Sequence, residues 1–248
     1  MTQGPVFLIG GGWTEAAFPH TYGRFAAAVG ADSAHRIACV LLDGDERDEY
    51  FARSAAAFAA VGVRDVSPVF VSERRPLSAA DLDGAAGVFV GGGLTPAYHA
   101  AIVPTSETWL PAIRDRGIPY AGFSAGSAIA SAHAIVGGWK LRHGDVDLVI
   151  CAEEVSEDEE LLDIRPGLGL VPFAVDVHAS QWGTLTRLLH AVQAGLVPEG
   201  WAIDEDTMLE VADDRLTVHG LGSAYRVCQS GESLAVEILG DGEHRDCE

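Results

Sequence analysis

The run Gly122-Phe123-Ser124-Ala125-Gly126 sets a serine between an apolar stretch and a series of small residues. Glycines two positions either side of a serine permit a strained strand-to-helix turn that pushes the hydroxyl clear of the backbone, as a nucleophile requires. Two more features carry what a serine cannot do alone: His178 closes one apolar run, and Asp204-Glu205 closes another. A serine hydroxyl is a weak nucleophile until a base takes its proton, and a carboxylate behind the base fixes the imidazole tautomer and stabilises the imidazolium. Two backbone N–H groups must also meet the developing oxyanion. Ala125, next after the serine, offers one, and Gly92 or Gly93 in Gly91-Gly92-Gly93-Leu94-Thr95 offers the other. The pattern points to nucleophilic acyl transfer in the order serine, histidine, acid. On residues alone the acid stays open among Asp176, Asp204 and Glu205; the last two face opposite sides of an alternating strand, so only one of them can serve. Taken singly, each feature has a plainer reading: a helix-capping serine, a packed histidine, a pair of turn acids.

The elements that must position these groups follow from the hydrophobic pattern. Apolar runs without alternation predict buried strands over 6–9, 36–42, 66–71, 87–90, 118–123, 173–178 and 201–205. Helices are expected over 18–29 and 45–61, each closed by a glycine, with a helical turn over 78–82. Thr95 is expected to cap a helix with Pro96 at its first position; the helix is interrupted at Pro104 and resumes over 108–116. Further helices are expected over 125–135 and 185–196. Strand and helix alternate, which predicts an α/β fold with a mostly parallel, doubly wound sheet and helices on both faces, followed from Thr207 by an antiparallel β extension. Ligands of such sheets sit beyond the carboxyl ends of the strands, where all four candidate features fall. Residues 139–151 alternate in a way that fits a hairpin or an irregular excursion, and the charge run 153–160 reads as a solvated face. No linker or repeat divides the chain, so one domain over 1–248 is expected. Gly10-Gly11-Gly12 lacks the third glycine of a dinucleotide fingerprint, Glu15 standing there, and reads as a tight turn at the sheet edge.

Composition narrows the partners. A formal net charge of -20, from 36 acidic against 16 basic residues, argues against nucleic acid and against an anionic membrane surface. A small peptide-like substrate remains acceptable, and a homodimer is left open. Cys39, Cys151, Cys228 and Cys247 form no C-x-x-C pair and read as reduced, mostly packed thiols. The Asp176-x-His178 pair has no third ligand at a recognisable spacing, so no metal or other cofactor is expected. The first residues lead straight into an apolar strand, without the basic start of a secretory leader, and no apolar run is long enough to span a bilayer; a cytoplasmic location is expected.

In combination, four stretches resemble the S51 family of serine peptidases, whose members include aspartyl dipeptidase and cyanophycinase, on a fold related to class I glutamine amidotransferases. They are the glycine run from Gly91 to Thr95, the serine run, Asp176-Val177-His178-Ala179-Ser180-Gln181 leading into Arg187-Leu188-Leu189, and Ile203-Asp204-Glu205-Asp206-Thr207. The resemblance implies Ser124 as nucleophile, His178 as base and Glu205 as the acid that orients it. It also implies a substrate pocket near Leu94, Gln181, Trp182 and Arg187. Two departures stand out. Leu94 replaces an amide residue usual in the family, and Trp182 and Thr184 replace arginines, which puts a specificity different from aspartyl or cyanophycin substrates in view and suits a less acidic one. A glutamine-amidotransferase-like amidase is disfavoured, because that class uses cysteine at the turn and an acid where Ser180 stands. The competing reading is a ligand-binding or regulatory protein that keeps the turn for structure alone.

Overall fold

The protein is described by a computed structural model over residues 4–30 and 36–246; Met1, Thr2, Gln3 and Cys247, on which the leader and thiol readings partly rest, lie outside them. The unbroken apolar runs form strands β1 (Val6–Ile9), β2 (Arg36–Leu42), β3 (Val66–Val71), β4 (Ala85–Val90) and β5 (Tyr120–Phe123). These five are parallel and lie side by side in the order β1-β5-β4-β2-β3. Pro68, which cannot donate to a ladder, falls in the edge strand β3. Beyond β1 the sheet continues antiparallel through β12 (Thr207–Ala212), β13 (Arg215–Gly220) and β16 (His244–Asp246), giving eight strands.

The expected α/β architecture is present, with its strands divided between two sheets. A six-stranded sheet has the order β15-β14-β11-β10-β6-β9, built from β6 (His133–Gly137), β9 (Asp163–Pro166), β10 (Ala174–Val177), β11 (Glu199–Ile203), β14 (Ala224–Ser230) and β15 (Ser233–Leu239). In it β10 runs parallel to β6 and β11. The C-terminal antiparallel segment thus completes both sheets. Of the two readings of residues 139–151, the hairpin is the one found: β7 (Lys140–His143) and β8 (Val146–Val149) form a separate antiparallel pair. One apolar cluster, from Leu8 and Val90 in the first sheet to Val175 and Trp201 in the second, holds the two together.

Helix α5 (Ala125–Ala130) touches strands of both sheets, and all six of its residues are buried. The expected helix over 125–135 stops there, because Ser131 is extended and His133-Ala-Ile-Val enters the second sheet as β6. The small residues reflect the squeeze: a Cβ on Gly122 would run into the backbone of Gly126, so turn and helix touch without side chains between them. The remaining helices, α1 (Tyr22–Val29), α2 (Arg47–Ala60), α3 (Thr95–Ile102), α4 (Ser106–Asp115) and α6 (Leu185–Gln193), cover the sheets, with a 3-10 turn at Ala79–Leu82 closed by a Ser78–Asp81 capping box. The cap of α3 is Leu94, not Thr95, which is the first helical residue. Its free N–H is met by the Glu157 carboxylate at 2.9 Å, so the charge run over 153–160 is not a wholly solvated face. Burial pushes the Glu157 carboxyl up, against the Thr95 N–H, which favours its charged form. Cys39 and Cys151 are buried free thiols, and burial pushes Cys39 up to about 12, so it is unreactive. Among the described residues no helix is long and apolar enough to cross a membrane.

Candidate active site

Strand register brings the chemistry to one edge. In the first sheet Ile9 pairs with Phe123 and Val90 with Gly122, so Gly10, Gly91 and Ser124 emerge together. In the second, Val177 pairs with Ile203, so His178 and Asp204 emerge level with each other. The two edges are stitched by the glycines after β1: His178 N–H donates to Gly10 O at 3.0 Å, and Asp206 N–H to Gly11 O at 2.8 Å. Ser124, His178 and Asp206 all hold positive φ, at 52°, 56° and 56°. Non-glycine residues there cost free energy that only a surrounding structure fixing them can sustain.

The Ser124 hydroxyl lies 2.8 Å from His178 Nε2, and Glu205 Oε1 lies 2.8 Å from His178 Nδ1. A carboxylate can only accept, so Nδ1 carries the proton and Nε2 is left to accept from the serine. Burial holds the His178 imidazole below the ordinary histidine range, outweighing the Glu205 carboxylate, which acts the other way. The ring is therefore neutral at pH 7 and able to take a proton. Trp182 stacks on it, 3.7 Å between centroids and 8° between planes.

The three candidate acids separate cleanly. Asp204 accepts from Ser180 N–H and Oγ, Ser223 N–H and Tyr225 OH, which ties the turn after β10 to that before β14. Asp176 is a bidentate partner of Arg187, with bonds of 2.8 and 2.7 Å. Glu205 alone of the three reaches His178, and its own N–H donates to Gln181 Oε1 at 2.9 Å. Gln181 thus steadies the acid.

Other expectations are redistributed. Arg187 is not brought to the cleft: it is buried against Asp176, with Val155 O at 3.0 Å, and is held by that pair despite the burial that opposes its charge. Leu94 is two-fifths exposed and outside the cleft lining, whereas Trp182 lines it. Gly92 N–H donates to Tyr50 OH at 3.0 Å and is thereby occupied. The N–H groups of Ala125 and Gly93 have no acceptor among the described residues. Ser124 and His178 open on a cleft of about 420 Å3 that also takes in Trp13, Tyr50, Arg53 and Gly93. Tyr50 and Arg53 come from α2, where an alanine-rich helix gives no hint of them. Gly11 is the other residue missed: it lies against the His178 ring, at a turn the sequence reading took for geometry alone.

Hydroxyl, imidazole and carboxylate in this order, with two free N–H groups beside them, can pass a proton and hold an oxyanion. The sequence model of peptidase family S51 matches residues 6–219. Proteins named cyanophycinase from Trichormus variabilis and from Nostoc sp. are each 28% identical over 230 residues, covering 90% of this chain and 72% of the relative. The crystal structure of a peptidase from an acI-B1 Actinobacterium superposes with a TM-score of 0.67 at 16% identity, covering 98% of this chain and 97% of that one. The chain belongs to peptidase family S51, and with it to the hydrolases.

Proposed function

We infer that this chain is a serine-type hydrolase that cleaves a short peptide or related amide through an acyl-enzyme. The observation that carries the reading is the unbroken relay from Ser124 Oγ to His178 Nε2 and from Nδ1 to Glu205, with both bonds at 2.8 Å. Ser124 Oγ attacks the scissile carbonyl while its proton passes to Nε2, and Glu205 balances the imidazolium. The carbonyl oxygen, now an anion, is received by Ala125 and Gly93 N–H; Gly92, engaged by Tyr50, fixes the loop that presents Gly93. Collapse breaks the C–N bond, the amine leaves with the proton from His178, and water enters by the same route to release the acid and regenerate the serine. A stacked indole over the imidazole keeps water off one face and favours the transient cation.

Specificity differs, on this reading, from that of the cyanophycinases it resembles. Trp182 stands at the cleft beside the histidine, and Arg187 is consumed by Asp176. The test is labelling of the purified protein with a neutral fluorophosphonate, located by peptide mass. Modification at Ser124 that is lost in Ser124→Ala and in His178→Ala is expected. A folded protein that does not label would instead support a ligand-binding role for the cleft.

A further inference from the structure

Among the described residues that line the Ser124 cleft, Arg53 on α2 is the only permanent cation. Its guanidinium lies over the Trp13 ring, 4.2 Å from the centroid. That ring is fixed in turn by Phe123 at 4.7 Å, which precedes Ser124, and by Tyr50 edge-on at 5.7 Å. Among the described residues Arg53 donates no hydrogen bond and joins no ion pair. Glu49, four residues earlier on the same helix and the ordinary partner for such a cation, does not pair with it. An unneutralised arginine is conspicuous beside a catalytic cleft in a chain with 36 acidic and 16 basic residues.

A guanidinium stacked by its face keeps its N–H edge free, and that edge matches the two oxygens of a carboxylate. The indole beneath excludes water from one side, which strengthens such a bond. The surroundings give the cleft a direction. A neighbouring cavity that meets it at Tyr50, Gly92 and Gly93 is bordered by Asp43, Asp45 and Glu46, and the one cation lining it among the described residues, Arg47, is paired with Asp43, so an anion is repelled there. A carboxylate is therefore drawn to the Arg53 side.

We propose that Arg53 and Trp13 form a subsite for a substrate carboxylate, so that the preferred substrates are short peptides held by their free C-terminal carboxylate. The proposal rests on the reading of the cleft as a peptidase site. A cleft of about 420 Å3 that holds both the hydroxyl and the cation admits little more than a few residues between them.

The test is native mass spectrometry of the full chain carrying Ser124→Ala, mixed with a pool of X-Ala dipeptides as free acids or as C-terminal amides. Retention of the acids at least tenfold above the amides is expected, with the preference abolished when Arg53→Met is added. Arg53 is exposed, so an unchanged thermal midpoint shows that this variant is folded. Amides retained only where X is Asp or Glu, and only with Arg53 present, would keep the carboxylate subsite but assign it to a side chain. Equal retention of acids and amides, no retention of either, or a preference that survives Arg53→Met overturns the proposal. Fluorophosphonate labelling of the unsubstituted protein reports separately on the serine, so the two readings fail independently.

Discussion

Gly11→Ala is the sharpest perturbation of the relay that leaves all its members in place. Gly11 has φ of +115°, and a Cβ there would lie 2.7 Å from His178 Nδ1 and 3.0 Å from Nε2, with Cε1 nearer still. Carbon atoms settle at roughly 3.5 to 4.0 Å, so the ring must retreat by about 1 Å. Its two flanking bonds, each 2.8 Å, cannot both survive that shift. Misplacement by about 1 Å costs on the order of 10²-fold, and full loss of a general base about 10²- to 10⁴-fold. The expected outcome is a fall of about 10²- to 10³-fold in fluorophosphonate labelling and in hydrolysis. Alanine at this φ also costs about 1 to 3 kcal/mol of stability, so thermal unfolding is followed in parallel and rates are taken well below the midpoint. Gly62→Ala is the control: it too has positive φ, 91°, but nothing lies within 4 Å of its Cβ, so it should lose stability without slowing labelling. Labelling of Gly11→Ala at the unsubstituted rate would show that Gly11 does not hold the ring, or that the ring is not the base.

Three further outcomes follow from the same geometry. Because burial depresses the His178 pKa, kcat/KM should hold steady as pH falls through the ordinary histidine range near 6.5 and decline only below it; an acid limb at or above that range contradicts the assignment. Glu205→Gln removes the partner that raises that pKa, so it should move the acid limb lower still and reduce kcat by about 10²- to 10⁴-fold with little change in thermal midpoint. Asp176→Asn leaves the Arg187 charge buried without its partner and should cost about 3 to 5 kcal/mol, a midpoint drop on the order of 10 °C. A change in KM without that drop would return Arg187 to substrate binding.

The sequence carried the parts of this site that depend on local chemistry. The Gly122–Gly126 spacing, the histidine and the acids each sit where a strand ends, and strand ends are readable from unbroken apolar runs such as those ending at Ile9, Val90 and Ile203. What it could not carry was which sheet a strand joins. Ala134 and Ile135 belong to a run of small and apolar residues with no periodicity, and they read as helix until the second sheet claims them. Asp204 and Glu205 are chemically alike, and only the turn that spends Asp204 on Ser180, Ser223 and Tyr225 separates their roles. Tyr50 and Arg53 were illegible for a different reason. They lie more than seventy residues before Ser124, on a helix whose pattern is complete without them.

Ser124 and His178 follow strands of different sheets, and this makes the proposed proton relay a gauge of how the two are seated. The seam between them runs through α5, the glycines after β1 and the shared core around Val175 and Trp201. A slip of about 1 Å along it would part Oγ from Nε2 while every strand kept its ladder, since hydrogen bonds weaken steeply with distance and angle. Warming or mild denaturant should therefore silence the enzyme before its circular dichroism changes. The same logic bears on inheritance: a substitution at the seam can be lost for a misaligned proton transfer while the fold it belongs to remains sound.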